Sequence, residues 1–342
     1  MDGATDKDGL PRGDALIRLR HWLGDRIGEF DQLELSKLSG GQSNPTFLIK
    51  TDAGNFVLRR KPFGQLLPRA HMVEREYRVL TALAATDVPV PRTIGLCEDA
   101  ALIGAPFFIM EHIEGRIEMD ARLPTMSPTD RGAVFDQMNA TIAKLHAVDI
   151  ASVGLANYGK PENFLERQIA LWTQQYKAAQ TVDITAMDRL MTWLPNNRPP
   201  RSNVSLFHGD FRLDNMILHP REPVVQAVID WELSTLGDPL ADLAYNALIW
   251  HIPPDLFRGL KGSSIAGIPS EDDYLSAYCR RLGRSEIAHW PFYLAFSLFR
   301  ITAIVQGIAK RAQDATANAD DAAELGKRAA PLAEIGWSLA SR

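Results

Sequence analysis

The chain has 342 residues, 46% hydrophobic and 23% charged, which is ordinary for a globular protein and enough to bury a sizeable core. Its net charge of −5 argues against general nucleic-acid binding, so any anionic ligand must find a local basic patch. Two cysteines, Cys97 and Cys279, supply neither a disulfide framework nor a metal motif. Residues 1–14 are acidic and glycine-rich with no apolar centre, so no signal peptide is expected, and a cytoplasmic location is.

In chain order, residues 14–27 repeat Leu16, Leu19, Leu23 and Ile27 at helical spacing, with Asp14 as N-cap. Strands are expected at 33–38, 46–51 and 55–59. The glycine-bearing turn Ser39-Gly40-Gly41-Gln42-Ser43-Asn44 separates the first two. Alternation along the third strand puts Val57 and Arg59 on one face, and Phe56 and Leu58 on the other. A helix over 70–85 follows, with Val73, Tyr77 and Leu80 in register, and Val88-Pro89-Val90-Pro91 blocks its continuation. Residues 106–115 read as a buried strand running into a linker. The remainder is mostly helical, at 127–148, 164–179, 184–193, 239–250, 272–282 and 287–311, with 312–330 either loose or helical. The most apolar run, 291–305, is interrupted by Arg300 and is too short to span a bilayer, so no membrane is expected.

The chemistry concentrates between short apolar runs at 204–207, 216–218 and 224–229, which read as strands. Between them lie His208-Gly209-Asp210-Phe211-Arg212-Leu213-Asp214-Asn215 and then Ile229-Asp230-Trp231. Asp, Asn and Gly are also turn formers, and a lone Asp and Asn five apart would say little. With a second Asp after the next hairpin, the set matches what magnesium-dependent phosphoryl transfer needs. Asp210 would orient an acceptor hydroxyl. Asn215 and Asp230 would offer Mg²⁺ hard oxygens while leaving positions for water and nucleotide phosphates. The Gly41, Ser43 and Asn44 turn suits a hairpin tip whose backbone N–H groups approach phosphates.

These residues carry a resemblance. H-G-D-F-R-L-D-N followed by V-I-D-W resembles the catalytic and metal-binding loops of the aminoglycoside phosphotransferase and choline kinase-like family. It is similar in particular to the kinase-like domain fused to, or encoded with, acyl-CoA dehydrogenases. The resemblance implies an α+β, protein kinase-like two-lobed fold. It divides the chain into an N-terminal extension and helix (1–31), a nucleotide-binding lobe and hinge with an antiparallel sheet and one main helix (32–113), and a larger, mainly helical lobe (114–342). It also implies ATP and Mg²⁺ as cofactors and a small-molecule hydroxyl as acceptor. A functional link to an acyl-CoA dehydrogenase comes with it. Where the family usually places a phosphate-gripping Lys, this chain has Arg59; Lys61 from the adjoining loop is the alternative. Alignment to the family's E-R-E pattern makes Glu76, rather than Glu74, the partner of Arg59. The Glu111 carbonyl and the Ile113 N–H would meet adenine.

Gly237-Asp238-Pro239 follows Asp230 too soon for a long activation segment, which argues against a regulated protein kinase. Asp238 reads as an N-cap before Pro239, and Asp242 as a brace for the catalytic loop. His146 reads as packing against that loop. Arg300, Lys310 and Arg311 with Trp231, Trp250, Trp290, Phe296 and Phe299 suit an anionic or partly apolar acceptor, such as a hydroxyacyl-CoA or hydroxy acid, better than a polycationic aminoglycoside. An aminoglycoside kinase and a nucleotide-binding pseudokinase or scaffold are the competing expectations.

Overall fold

The computed structural model describes residues 9–38, 44–64, 71–200, 203–314 and 322–341. The chain forms two compact units. One comprises the residues up to Gly115 together with Gln226–Glu232; the other comprises Arg116–Val225 and Leu233 onward.

The first unit starts with helix α1 (Gly13–Ile27), then strands β1 (Glu34–Lys37), β2 (Thr46–Thr51) and β3 (Gly54–Arg60), helix α2 (Val73–Leu83), and strands β4 (Thr93–Cys97) and β5 (Phe107–Glu111). The five strands form one antiparallel sheet in the order β1-β2-β3-β5-β4. Period-two alternation decides its faces: Phe47 and Ile49 of β2 and Phe56 and Leu58 of β3 join Leu19 and Leu23 of α1 in one core. Arg59 is left for the opposite face, where it meets α2. Asp14 lies in the first turn of α1. Arg12 holds the N-cap position and makes no side-chain cap, so the expected cap is not formed.

The larger unit is helical. It contains α3 (Pro128–His146), α4 (Phe164–Ala179) and α5 (Thr185–Asn196), then the short strands β6 (Ser205–Phe207) and β7 (Met216–Leu218); β8 (Val225–Val228) starts at the last residue of this stretch and otherwise belongs to the first unit. Strand β9 (Thr235–Gly237) pairs antiparallel with β6. Helices α6 (Pro239–Ala247), α7 (Pro254–Phe257), α8 (Glu271–Arg281), α9 (Trp290–Gln313), α10 (Ala322–Gly326) and α11 (Ala329–Ala340) complete it. The starts of α3 and α6 show side-chain caps at the residues that signal them. The Ser127 side chain accepts the Asp130 N–H at 3.1 Å, and Asp238, ahead of Pro239, accepts the Leu240 N–H at 3.0 Å.

Helix α9 runs eight residues beyond the apolar stretch 291–305. By length and composition it could cross a membrane, but 72% of its apolar window is buried inside the chain. Most of its apolar surface is therefore packed within the chain.

Candidate active site

In the larger unit, β6 delivers His208-Gly209-Asp210 into a loop held from beneath by α6. Asp242 is fully buried and accepts the His208 N–H at 2.8 Å and the Gly209 N–H at 2.9 Å, one on each carboxylate oxygen. His146 stands 3.4 Å from Asp242 Oδ2 and meets the Tyr278 hydroxyl at 2.7 Å. Burial alone would raise the Asp242 carboxyl, but His146 and the loop N–H groups outweigh it and hold it below the usual carboxylate range. Gly209 has φ 91°, and a Cβ there would lie 2.8 Å from the Leu233 carbonyl, so this turn admits only glycine.

Asp210 is gripped at both oxygens. Oδ1 accepts the Tyr245 hydroxyl at 2.6 Å and Oδ2 accepts Asn215 Nδ2 at 2.9 Å. That same amide nitrogen also donates to the Asp210 carbonyl at 2.8 Å. The carboxylate plane is therefore fixed, while each oxygen keeps a lone pair for an acceptor hydroxyl. Such an arrangement orients a nucleophile rather than acting as a strong base.

Tyr245 was not legible as a site residue, although a signal existed. Asp242, Tyr245 and Asn246 stand at i, i+3 and i+4 on α6, hence on one face, and Asn246 Nδ2 donates to the Phe211 carbonyl at 3.2 Å. One helix face thus holds the whole loop. Burial, and then Asp210, push the Tyr245 hydroxyl up, so it stays a donor at neutral pH. Behind its ring lies Arg300, buried and 5.2 Å from the centroid, with Trp172 and Phe207 also within 6.0 Å of the guanidinium.

In the first unit, Arg59 bridges two carboxylates. Its Nε lies 3.1 Å from Glu76 Oε2, close enough to pair ionically but off-line for a hydrogen bond, and its Nη2 donates to Asp230 Oδ1 at 3.2 Å. Burial works against the Arg59 charge, yet Glu76, Asp230 and Glu232 outweigh it and raise its pKa. Burial pushes the Glu76 carboxyl up to about 7 despite Arg59, with Asp230 and Glu232 adding to the push. Lys61 instead pairs with Glu74 at 2.9 Å. Asp230 adopts φ 66°, a left-handed conformation costly for a residue with a Cβ, and it is anchored by neighbours. The Val228 N–H bonds the Pro89 carbonyl at 2.8 Å, and Trp231 is buried with its Nε1 on the Val228 carbonyl.

The remaining nucleotide candidates are placed unevenly. Gly41 and Ser43 lie outside the described residues. Asn44 is buried, with Oδ1 3.2 Å from His71 Nδ1, and among the described residues its Nδ2 has no partner. Glu111 ends β5, and its carboxylate accepts the Arg92 N–H at 2.8 Å. Among the described residues no hydrogen bond reaches the Ile113 N–H.

The profile of the APH phosphotransferase enzyme family matches residues 34–296. The chain belongs to this family. A crystal structure of a candidate aminoglycoside phosphotransferase from Ralstonia eutropha JMP134 is 47% identical, with a TM-score of 0.88 over 95% of this chain and 98% of that one. APH(4)-Ia, solved as a thermostable mutant with ADP and hygromycin B, gives a TM-score of 0.60 at 18% identity over 93% of this chain and 98% of that one, a likeness of fold. Among curated proteins, acyl-CoA dehydrogenase family member 10 of Mus musculus is 44% identical over 91% of this chain and 29% of its own length. Family member 11 of Gallus gallus is 44% identical over 91% of this chain and 41% of its own. The chain thus spans less than half of these curated relatives. The α+β, kinase-like APH fold holds, with its small antiparallel-sheet unit and larger helical unit.

The residues of this APH phosphotransferase also fit the groups such chemistry uses. Asn215 spends its amide nitrogen on Asp210, which leaves Oδ1, a hard neutral donor, to face a cation. Asp230 engages Arg59 through Oδ1, and Oδ2 remains as a second hard donor. The unpartnered Nδ2 of Asn44 fits a phosphate oxygen.

Proposed function

We propose that this chain transfers the γ-phosphate of ATP, with Mg²⁺, to a hydroxyl of a small molecule, a hydroxyacyl-CoA or a related hydroxy acid. The observation that carries this reading is the Asp210 carboxylate, locked in plane by Tyr245 on one oxygen and Asn215 on the other. A group held this way aims an alcohol at phosphorus and receives its proton late, which suits a loose transition state. Bound Mg²⁺ supplies countercharge to the triphosphate. Asn215 and Asp230 would hold it, Arg59 and Asn44 would meet phosphate oxygens, and the Ile113 N–H would meet the base. An arginine can grip phosphate bidentately, so Arg59 in place of the family's lysine is compatible with turnover.

The acceptor class is supported by the names of the curated relatives, acyl-CoA dehydrogenases of which this chain matches a part. Arg59 favours one second reading, a nucleotide-binding pseudokinase, because arginine is not a simple replacement for lysine. A single screen separates them. ATP consumption is measured with magnesium against hydroxylated metabolites, including hydroxyacyl-CoAs and aminoglycosides. Turnover that disappears in Asp210→Asn is the expected result. Nucleotide binding with no turnover on any alcohol would support the pseudokinase, and turnover on aminoglycosides alone would move the acceptor.

A further inference from the structure

We propose that an aliphatic cavity in the larger unit receives the hydrocarbon tail of the acceptor, and that Ile304 and Ile308 of α9 set the tail length it admits. This deepens the phosphotransferase reading and rests on it for the position of the reacting hydroxyl.

The cavity measures about 210 Å³ and lies among Phe135, Leu213, Ile249, Ile301, Ile304 and Ile308. Among the described residues its lining contains no carboxylate, which makes it a poor seat for a polycation. Its polar lining residues are Arg212, Tyr245 and Asn246, and each is already engaged beside the catalytic loop. Tyr245 donates to Asp210 Oδ1 at 2.6 Å, and Arg212 Nε lies 3.6 Å from the same oxygen while its other end pairs with Asp214. Asn246 holds the Phe211 carbonyl. The cavity is therefore continuous with the groups that touch Asp210, and away from them it is lined almost wholly by carbon.

Helix α9 shows why this space exists. Residues 301, 304, 305 and 308 repeat at i, i+3, i+4 and i+7 and form a single face. Its preceding residues 292–300 are all buried, whereas Ile301, Ile304 and Ile308 are only half-buried. Large β-branched side chains left half-covered on an otherwise core helix are a wall with an unfilled partner. A dry cavity of about 150 Å³ lined by Leu, Ile and Phe accommodates a six-carbon ring, so by proportion this one takes roughly eight carbons. An unbranched chain attached to the carbon that bears the hydroxyl would fill it.

The test uses straight-chain alkanols from butanol to decanol, titrated calorimetrically into the full chain. Affinity should rise about fourfold for each added methylene and then level off once the cavity is full. Ile304→Trp should bring the plateau to shorter chains, and Ile308→Ala should move it to longer ones. No dependence on chain length in the unmodified protein overturns the inference, whatever the variants do, and so does a plateau that stays put in both folded variants. Phosphorylation of the same alkanols is followed separately. Length-dependent binding of alkanols, with no phosphoryl transfer to them or to hydroxy acids and hydroxyacyl-CoAs, would count against the enzyme reading and leave the cavity assignment standing.

Discussion

Asp210 and Asp230 both sit on loops that leave short strands, yet they are held in opposite ways. Asp210 takes its hydrogen bonds from neutral donors, a phenol and an amide, on a loop whose backbone is bonded to one helix face, with the Arg212 guanidinium 3.6 Å from Oδ1. Asp230 is held by a cation, Arg59, which is shared with a buried glutamate. The two neutral hydrogen bonds fix the direction of the Asp210 carboxylate, while Arg212, at 3.6 Å, is a looser counter-ion than Arg59 is to Asp230 at 3.2 Å. A shared countercharge keeps Asp230 tied only until another cation competes for it. The first cluster is pre-set and the second is adjustable, which is the division expected between a group that aims and groups that load a ligand.

The largest break in this comparison should come from Asp210→Asn. It should lower kcat by roughly 10²–10⁴, about 3–5.5 kcal/mol of barrier, with nucleotide affinity kept. Steady-state ATP consumption with an active alcohol is the measurement, and unchanged turnover removes Asp210 from its role. Arg59→Met should act on stability as well as on nucleotide binding. It leaves Glu76 buried without its cation and should cost about 3–5 kcal/mol in denaturant unfolding at pH 8. The cost should shrink toward pH 6, where Glu76 takes up a proton. A pH-independent loss would show that the pair is not ionic.

Tyr245→Phe sharpens the neutral side. Removing one donor from a carboxylate is worth about 1.5–3 kcal/mol, or roughly ten- to hundredfold in kcat, with little change in the melting temperature. If the variant keeps full turnover, Asn215 alone suffices to orient Asp210. The effect confined to stability concerns Glu76 itself. Its pKa near 7 stands above the ordinary 4.5, so the fold prefers the protonated form. Stability tied to that proton is present below about pH 4.5 and is lost as pH rises through about 7. Relative to Glu76→Gln, the unmodified chain should therefore weaken across that window by up to about 1.4 kcal/mol per pH unit. A parallel pH profile for the two would sink the assignment.

Local spacing explains what could be read in advance. Asp210 and Asn215 are five residues apart on one loop, and their bond follows from that. The Arg59–Glu76 pair was legible through resemblance, since strand alternation already placed Arg59 opposite Phe56 and Leu58. The direct Arg59–Asp230 bond joins residues 171 apart, and nothing local announces it. Tyr245 hid in an apolar run that reads as core. β9 escaped because its three residues, Thr235–Gly237, are too few for an alternation to register. Helix α11 escaped because its Ala-rich composition gives no strong face.

The segment Gln226–Glu232 belongs to the first unit although its chain neighbours on both sides belong to the second. During synthesis the amino-terminal sheet must therefore wait for more than a hundred further residues before Asp230 and Trp231 arrive. At about 5–20 residues per second that wait lasts roughly 6 to 23 seconds. Until then Arg59 has Glu76 as its carboxylate partner but not Asp230, so a nascent fragment ending near Gly115 should be less stable than the same sheet in the finished protein.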